Sequence, residues 1–191
     1  MAIDRRKQIL EAATNSFSLF GYKATTMDQV AKLANVGKGT IYTFFKNKEE
    51  LFDEIVSSLL NEMKREAEEV LDPQASFSEN VHHALFRLLE FRKEHQLTIK
   101  LHQEAVEIGT PAVSDVVNRM EKEVVDFVSQ QIEKAIQSEA IKPCDPEMTA
   151  FVMMKLYVSL IFDWERNHTP LNKDEIANLF EQYLISGLSR R

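Results

Sequence analysis

The sequence predicts an all-α protein, with a small three-helix head at the N-terminus and a bundle of about six longer helices behind it. Three observations carry this. Apolar residues recur at three- and four-residue spacing along nearly the whole chain, and no stretch alternates with the period of two that marks a half-buried strand. The 191 residues include only five glycines and five prolines, and most of them fall between amphipathic stretches. Apolar residues make up 44%, enough for a packed core.

The elements follow in order. Residues 3–20 set Leu10, Ala13, Phe17 and Phe20 at helical spacing, and Gly21 stands where a helix commonly ends. Thr26 is a good N-cap for a second, short helix, with Gln29 three residues on as its capping-box partner. Met27, Val30, Ala31 and Ala34 form its buried face, and Asn35 tolerates the left-handed conformation that ends it. A third short helix spans roughly Lys38 to Phe44. In "KNKEEL", Asn47 caps and Glu50 answers, which starts a long fourth helix striped by Phe52, Ile55, Val56, Leu59, Leu60 and Met63 and stopped near Pro73. Further helices are expected at about Ser76–Lys93 (on Phe77, Val81, Ala84 and Leu88), Leu97–Val106, Thr110–Ser138, Glu147–Arg166 and Lys173–Leu188. The expected domains are 1–47 and 48–191.

Net charge is −7, which taken alone argues against a nucleic-acid partner. The average hides an asymmetry: residues 1–48 hold eight Lys/Arg against Asp4, Glu11 and Asp28, a balance of +5 that leaves −12 for the rest. A basic module on an acidic body is a cue for nucleic acid, although eight cations also suit an ordinary solvated surface. Cys144 is the only cysteine, so no internal disulfide can form, and neither a signal peptide nor a membrane span is apparent. The expectation is a cytosolic, cytoplasmic protein with no membrane partner. No P-loop, nucleophile elbow or metalloprotease motif occurs, so an enzyme is not expected. His82, His83, His95 and His102 crowd one region, but no cysteine–histidine spacing of a zinc site accompanies them; neither metal nor cofactor is expected.

Two short helices joined by "ANVGK" form a helix-turn-helix whose second helix is a candidate major-groove reader. Val36 and Ile41 should face inward, and Gly37 should let the backbone turn sharply at the helix cap. Lys38, Thr40, Tyr42 and Thr43 are then left outside, and Tyr42 and Lys48 can each donate to phosphate. The same pattern also fits an αα-corner inside a bundle, where the aromatics merely pack.

The segment "ILEAATNSFSLFGYKATTMDQVAKLANVGKGTIYTFFKNKEELF", residues 9–52, resembles the N-terminal domain of the tetracycline-repressor (TetR) family of bacterial regulators. The resemblance implies a homodimer with three DNA-binding helices and about six regulatory helices per subunit. It implies a ligand-responsive transcriptional regulator, expected to be a repressor that binds a palindromic double-stranded operator and is released by a small molecule. By position, Thr26, Tyr42 and Lys48 would contact phosphates, while Lys38, Gly39, Thr40 and Thr43 would approach base edges or nearby backbone. Three residues depart from the family pattern: Asn35 for the usual glycine, Gly37 for a serine or threonine cap, and Phe44 where a polar aromatic or histidine is frequent. Phe44 remains in the candidate DNA surface. A helical dimer that grips another protein is the alternative.

The stretch "FVMMKLYVSLIFDWE" is apolar nearly all round and must be covered on two sides. A subunit partner, with the last helix completing a four-helix dimer interface, would do this; so would burial as the central helix of a monomer. For an apolar or amphipathic effector the candidate pocket residues are Phe86, Leu89, Val106, Met120 and Phe127, with Met154, Tyr157, Val158 and Ile161. His102 is placed to fix a polar headgroup together with Glu104 and Glu107, although solvent is the simpler surrounding for the two glutamates. The long fourth helix would be the lever between ligand and DNA.

Overall fold

The computed structural model describes residues 4–94 and 96–188. Among these, nine α-helices of seven residues or more and no β-strand are found, and packing divides the chain into two units. One comprises Met1–Glu62 and Arg92–Arg119; the other comprises Met63–Phe91 and Met120–Arg191. Helices α4 (Lys48–Glu69), α5 (Phe77–Glu94) and α7 (Pro111–Gln137) each contribute residues to both.

In the first unit, α1 (Arg5–Phe20) opens on Asp4, whose side chain accepts from the Lys7 N–H, and buries Ile9, Ala13 and Phe17 completely. It packs against α2 (Met27–Leu33) and α6 (Gln96–Glu107). The capping box between Thr26 and Gln29 is formed. Helix α2 closes on Asn35 at φ 52°, with the Val36 N–H on the Ala31 carbonyl and the Asn35 N–H on the Lys32 carbonyl. These are the two bonds of a Schellman motif, with asparagine at the left-handed position where glycine is commoner.

Helix α3 (Lys38–Phe44) is held by Ile41 and by Phe45 at its end, both buried. Gly37 caps it at φ −66°, an ordinary backbone conformation, so the turn there does not need a glycine as the sequence reading expected. Phe52 of α4 meets the Phe17 ring edge-on at 5.3 Å and lies 4.5 Å from the Tyr22 ring. Asn47 accepts from the Glu50 N–H, but Glu50 answers the Lys46 N–H rather than that of Asn47, so this box is offset by one residue.

In the second unit, Ile132, Ala150, Ile141, Ile161, Ile176 and Phe180 form the centre of the core. Helix α8 (Pro146–Val158) begins on Asp145, with Pro146 in its first turn, and α9 (Lys173–Phe180) begins on an Asn172–Glu175 capping box. Each of these helices was expected to run unbroken. Each instead widens into a π turn, Ser159–Asp163 after α8 and Glu181–Ile185 after α9. A short turn Trp164–Arg166 and a last turn Ser186–Leu188 follow them. Along α8, Met148, Phe151 and Val152 stay exposed in the single chain, as do Trp164 and Tyr183 beyond it.

Candidate nucleic-acid interface and effector cavity

The α3 helix presents two unlike faces. Ile41 is sealed into the core, whereas Tyr42 is 45% and Phe44 38% exposed. Lys38, Gly39 and Thr43 are also exposed and Thr40 is half-buried. A side chain at Gly39 would meet nothing within 4 Å, so the first turn of the helix is open to close approach. The candidates Lys38, Gly39, Thr40, Tyr42, Thr43 and Phe44 therefore share one short helix.

Three of the candidate polar groups have partners within the protein. The Thr26 hydroxyl accepts the Gln29 N–H at 3.3 Å and is 3.0 Å from the Gln29 side-chain oxygen. Thr43 Oγ donates to the Thr40 carbonyl at 2.7 Å. Lys38 Nζ donates to Asp28 at 2.8 Å, and that hydrogen bond raises the Lys38 pKa.

Lys48 has a different setting from the rest. It is half-buried, and its ammonium donates to the Tyr22 carbonyl at 2.9 Å and the Thr25 carbonyl at 3.0 Å while sitting 4.1 Å above the Tyr22 ring. It ties the start of α4 to the connection between α1 and α2. The Tyr22 hydroxyl donates to Glu49 at 3.0 Å, and burial together with that acid pushes the phenol well above its ordinary range.

Glu104, for which solvent was the simpler expectation, is only 4% exposed. Its carboxylate accepts the Tyr22 N–H at 2.7 Å, the Lys23 N–H at 3.0 Å and the Thr110 hydroxyl at 2.9 Å. A lone glutamate on an amphipathic helix gives no sequence cue for this. His102 is half-buried on the same helix and Val106 is exposed at its end.

The second unit holds a cavity of about 680 Å³ that opens to solvent. This falls within the range of small-molecule sites. Its wall is mostly apolar, with the rings of Phe77, Phe91, Phe127 and Phe180 and the chains of Met153 and Met154. Of the sequence-derived pocket residues, Phe127, Met154 and Tyr157 line it. Leu89 and Ile161 belong to the buried core, Val158 packs against that core, and Phe86 lies under the Lys173 ammonium at 4.8 Å. Those four, Met120, and His102 and Val106 of the first unit do not line this cavity. Phe77, Val81, Ala84 and Leu88, the stripe whose spacing announces α5, all line it.

No cluster of three or more metal-binding side chains occurs among the described residues; His95 lies outside them. No helix among them is long and apolar enough to cross a membrane.

Comparison with known proteins agrees with this architecture. Residues 9–55 match the family described as bacterial regulatory proteins, tetR family. The chain is 66% identical over 189 residues to the uncharacterized HTH-type transcriptional regulator YhgD of Bacillus subtilis (strain 168), covering 99% of both chains. Two solved structures share the fold at lower identity. The transcriptional regulator FadR from Bacillus subtilis in complex with stearoyl-CoA is 21% identical, with a TM-score of 0.78 over 95% of this chain and 98% of that one. A SmeT–triclosan complex is 16% identical, with a TM-score of 0.79 over 98% and 93%. The exposed α3 face over a sealed inner face, the matched segment around it and the full-length relative together place this chain in the tetR family of bacterial helix-turn-helix transcriptional regulators.

Proposed function

We propose that this regulator is a repressor that binds a palindromic operator as a homodimer and leaves it when a lipophilic small molecule fills the cavity of the second unit. The observation that carries the DNA reading is the two-faced α3 helix. Ile41 and Phe45 anchor one side, and Lys38, Gly39, Tyr42 and Thr43 stand free of the core on the other. A helix held rigidly from behind can present side chains to base edges and phosphates without first being ordered.

Residues 1–47 are the proposed reader, and residues 48–191 the effector and dimer part. Dimerisation through the last two helices would cover Met148, Phe151, Val152, Trp164 and Tyr183, which the single chain leaves in water. It would also set two α3 helices about 34–36 Å apart, one turn of DNA. Effector entry must favour the DNA-incompetent state by about 1–3 kcal/mol for useful coupling. Helix α4, which contributes residues to both units, is the proposed carrier of that change.

The test is a gel shift on DNA from upstream of the protein's own gene, with and without an uncharged lipophile. The expected result is a discrete dimer complex on a palindromic site that is lost as the lipophile is added. Tight binding of a monomer, or a complex that no lipophile disturbs, would contradict the reading.

A further inference from the structure

The cavity's charges, rather than its volume, distinguish among lipophiles. Two cations in its wall are already matched by carboxylates. Arg87 Nε donates to Glu66 at 2.6 Å and its NH1 lies 3.6 Å from Glu90. Lys64 Nζ donates to Glu123 at 2.7 Å. A third cation in the wall, Lys134, is exposed and 3.4 Å from the Gln131 side-chain oxygen. Against these stand Glu66, Glu68 and Asp72 in the wall itself, with Glu90 and Glu123 behind the pairs. Within the wall itself the ionic groups balance, three positive and three negative, and Arg65 adds a cation 3.5 Å from Glu66.

The Arg87–Glu66 pair is largely sheltered, its side chains 24% and 19% exposed, and the Lys64–Glu123 pair is about one-third exposed. An anionic headgroup seeking Arg87 or Lys64 would have to displace a resident carboxylate and leave it without its partner. In a sheltered site that exchange is unfavourable, because breaking such a pair strands a charge. The polar amide of Asn80 is engaged too: it donates to the Asp72 carbonyl at 2.8 Å and accepts the Asp72 N–H at 2.8 Å. The wall's apolar side chains offer nothing to a carboxylate or phosphate, and Lys134, being exposed, would hold an anion only weakly through solvent.

We propose that the cavity selects a lipophile that carries no negative charge, uncharged or cationic at its polar end. This rests on the reading of the cavity as the effector site.

The experiment measures binding of three probes of equal chain length to the full-length protein, each below its micelle-forming concentration. They are 1-dodecanol, dodecyltrimethylammonium and dodecanoate. Dodecanol and the ammonium should each bind at least about tenfold tighter than dodecanoate. Glu66→Gln, which removes the nearer of Arg87's two carboxylate neighbours, should raise the dodecanoate-to-dodecanol affinity ratio by about tenfold. Glu123→Gln should raise it in the same direction through Lys64, and serves if the first variant folds poorly. Dodecanoate binding as tightly as dodecanol to the wild-type protein, or none of the three probes binding, would overturn the proposal. A parallel gel shift separates the two readings. A probe that binds with the expected charge preference and leaves the DNA complex intact supports charge selection and contradicts release by the cavity ligand.

Discussion

The Glu104 carboxylate accepts the backbone N–H of Tyr22 at 2.7 Å, joining α6 to the residues that follow α1. With the Lys23 N–H and the Thr110 hydroxyl on the same carboxylate, one buried side chain satisfies three donors. Gly21 makes this approach possible. At φ 84° and ψ 168° it occupies a region essentially reserved for glycine, and a Cβ there would lie 2.5 Å from a Glu104 oxygen. Gly21→Ala should therefore destabilise the protein by about 1–3 kcal/mol. Glu104→Gln, which turns an amide NH2 toward donors, should cost about 2–3 kcal/mol. Urea unfolding of each variant against wild type checks both.

Lys48 is a proposed phosphate contact, and in the free protein its ammonium also donates to two loop carbonyls. Lys48→Ala should lower folding stability by about 1–3 kcal/mol, the range for hydrogen bonds to a charged group. Thermal unfolding without DNA is the deciding measurement. An unchanged midpoint would mean that these two bonds add nothing to folding stability.

Asp28 holds Lys38 at 2.8 Å on the proposed DNA face. The pair is exposed, so its intrinsic worth is about 1 kcal/mol or less. Asp28→Asn removes a negative charge beside the DNA and frees the lysine. Operator affinity should rise about three- to tenfold, with a steeper dependence on salt.

The Arg87 hydrogen bond holds the Glu66 carboxyl below its ordinary value of 4.5. A folded-state value lower than the unfolded one adds stability that is whole above the unfolded value and is lost as pH falls through the folded one. The wild type should therefore lead Glu66→Gln in melting temperature near neutral pH, and the lead should shrink as pH falls below the ordinary value of 4.5. Melting curves of the two proteins across that range test the sign.

Where one side of an element is apolar and the other polar, the sequence was enough to read it. The Thr26–Gln29 box, the left-handed Asn35, the inward Ile41 and the outward Tyr42 all follow from local chemistry, and all are present. The stretch from Phe151 to Phe162 is apolar nearly all round, so its periodicity has no phase, and the π turn at Ser159–Asp163 leaves no trace in the pattern. The cavity posed a related difficulty. On α5, core and cavity residues are equally apolar, and only the packing of other helices decides that Leu88 lines the cavity while Leu89 is buried in the core. Glu104, Lys48 and the Arg87–Glu66 pair depend on partners about 20 to 80 residues away, a distance that helical spacing does not encode.

The central claim is that α3 reads DNA, and salt dependence of binding tests it most directly. Affinity for the DNA upstream of the protein's own gene, measured from low to physiological salt, should fall linearly on logarithmic axes, with a slope of about −0.9 per phosphate contacted. Tyr42→Phe should weaken specific and non-specific DNA alike, by about three- to tenfold. No binding to that DNA at low salt, or binding indifferent to salt and to Tyr42, would contradict the account.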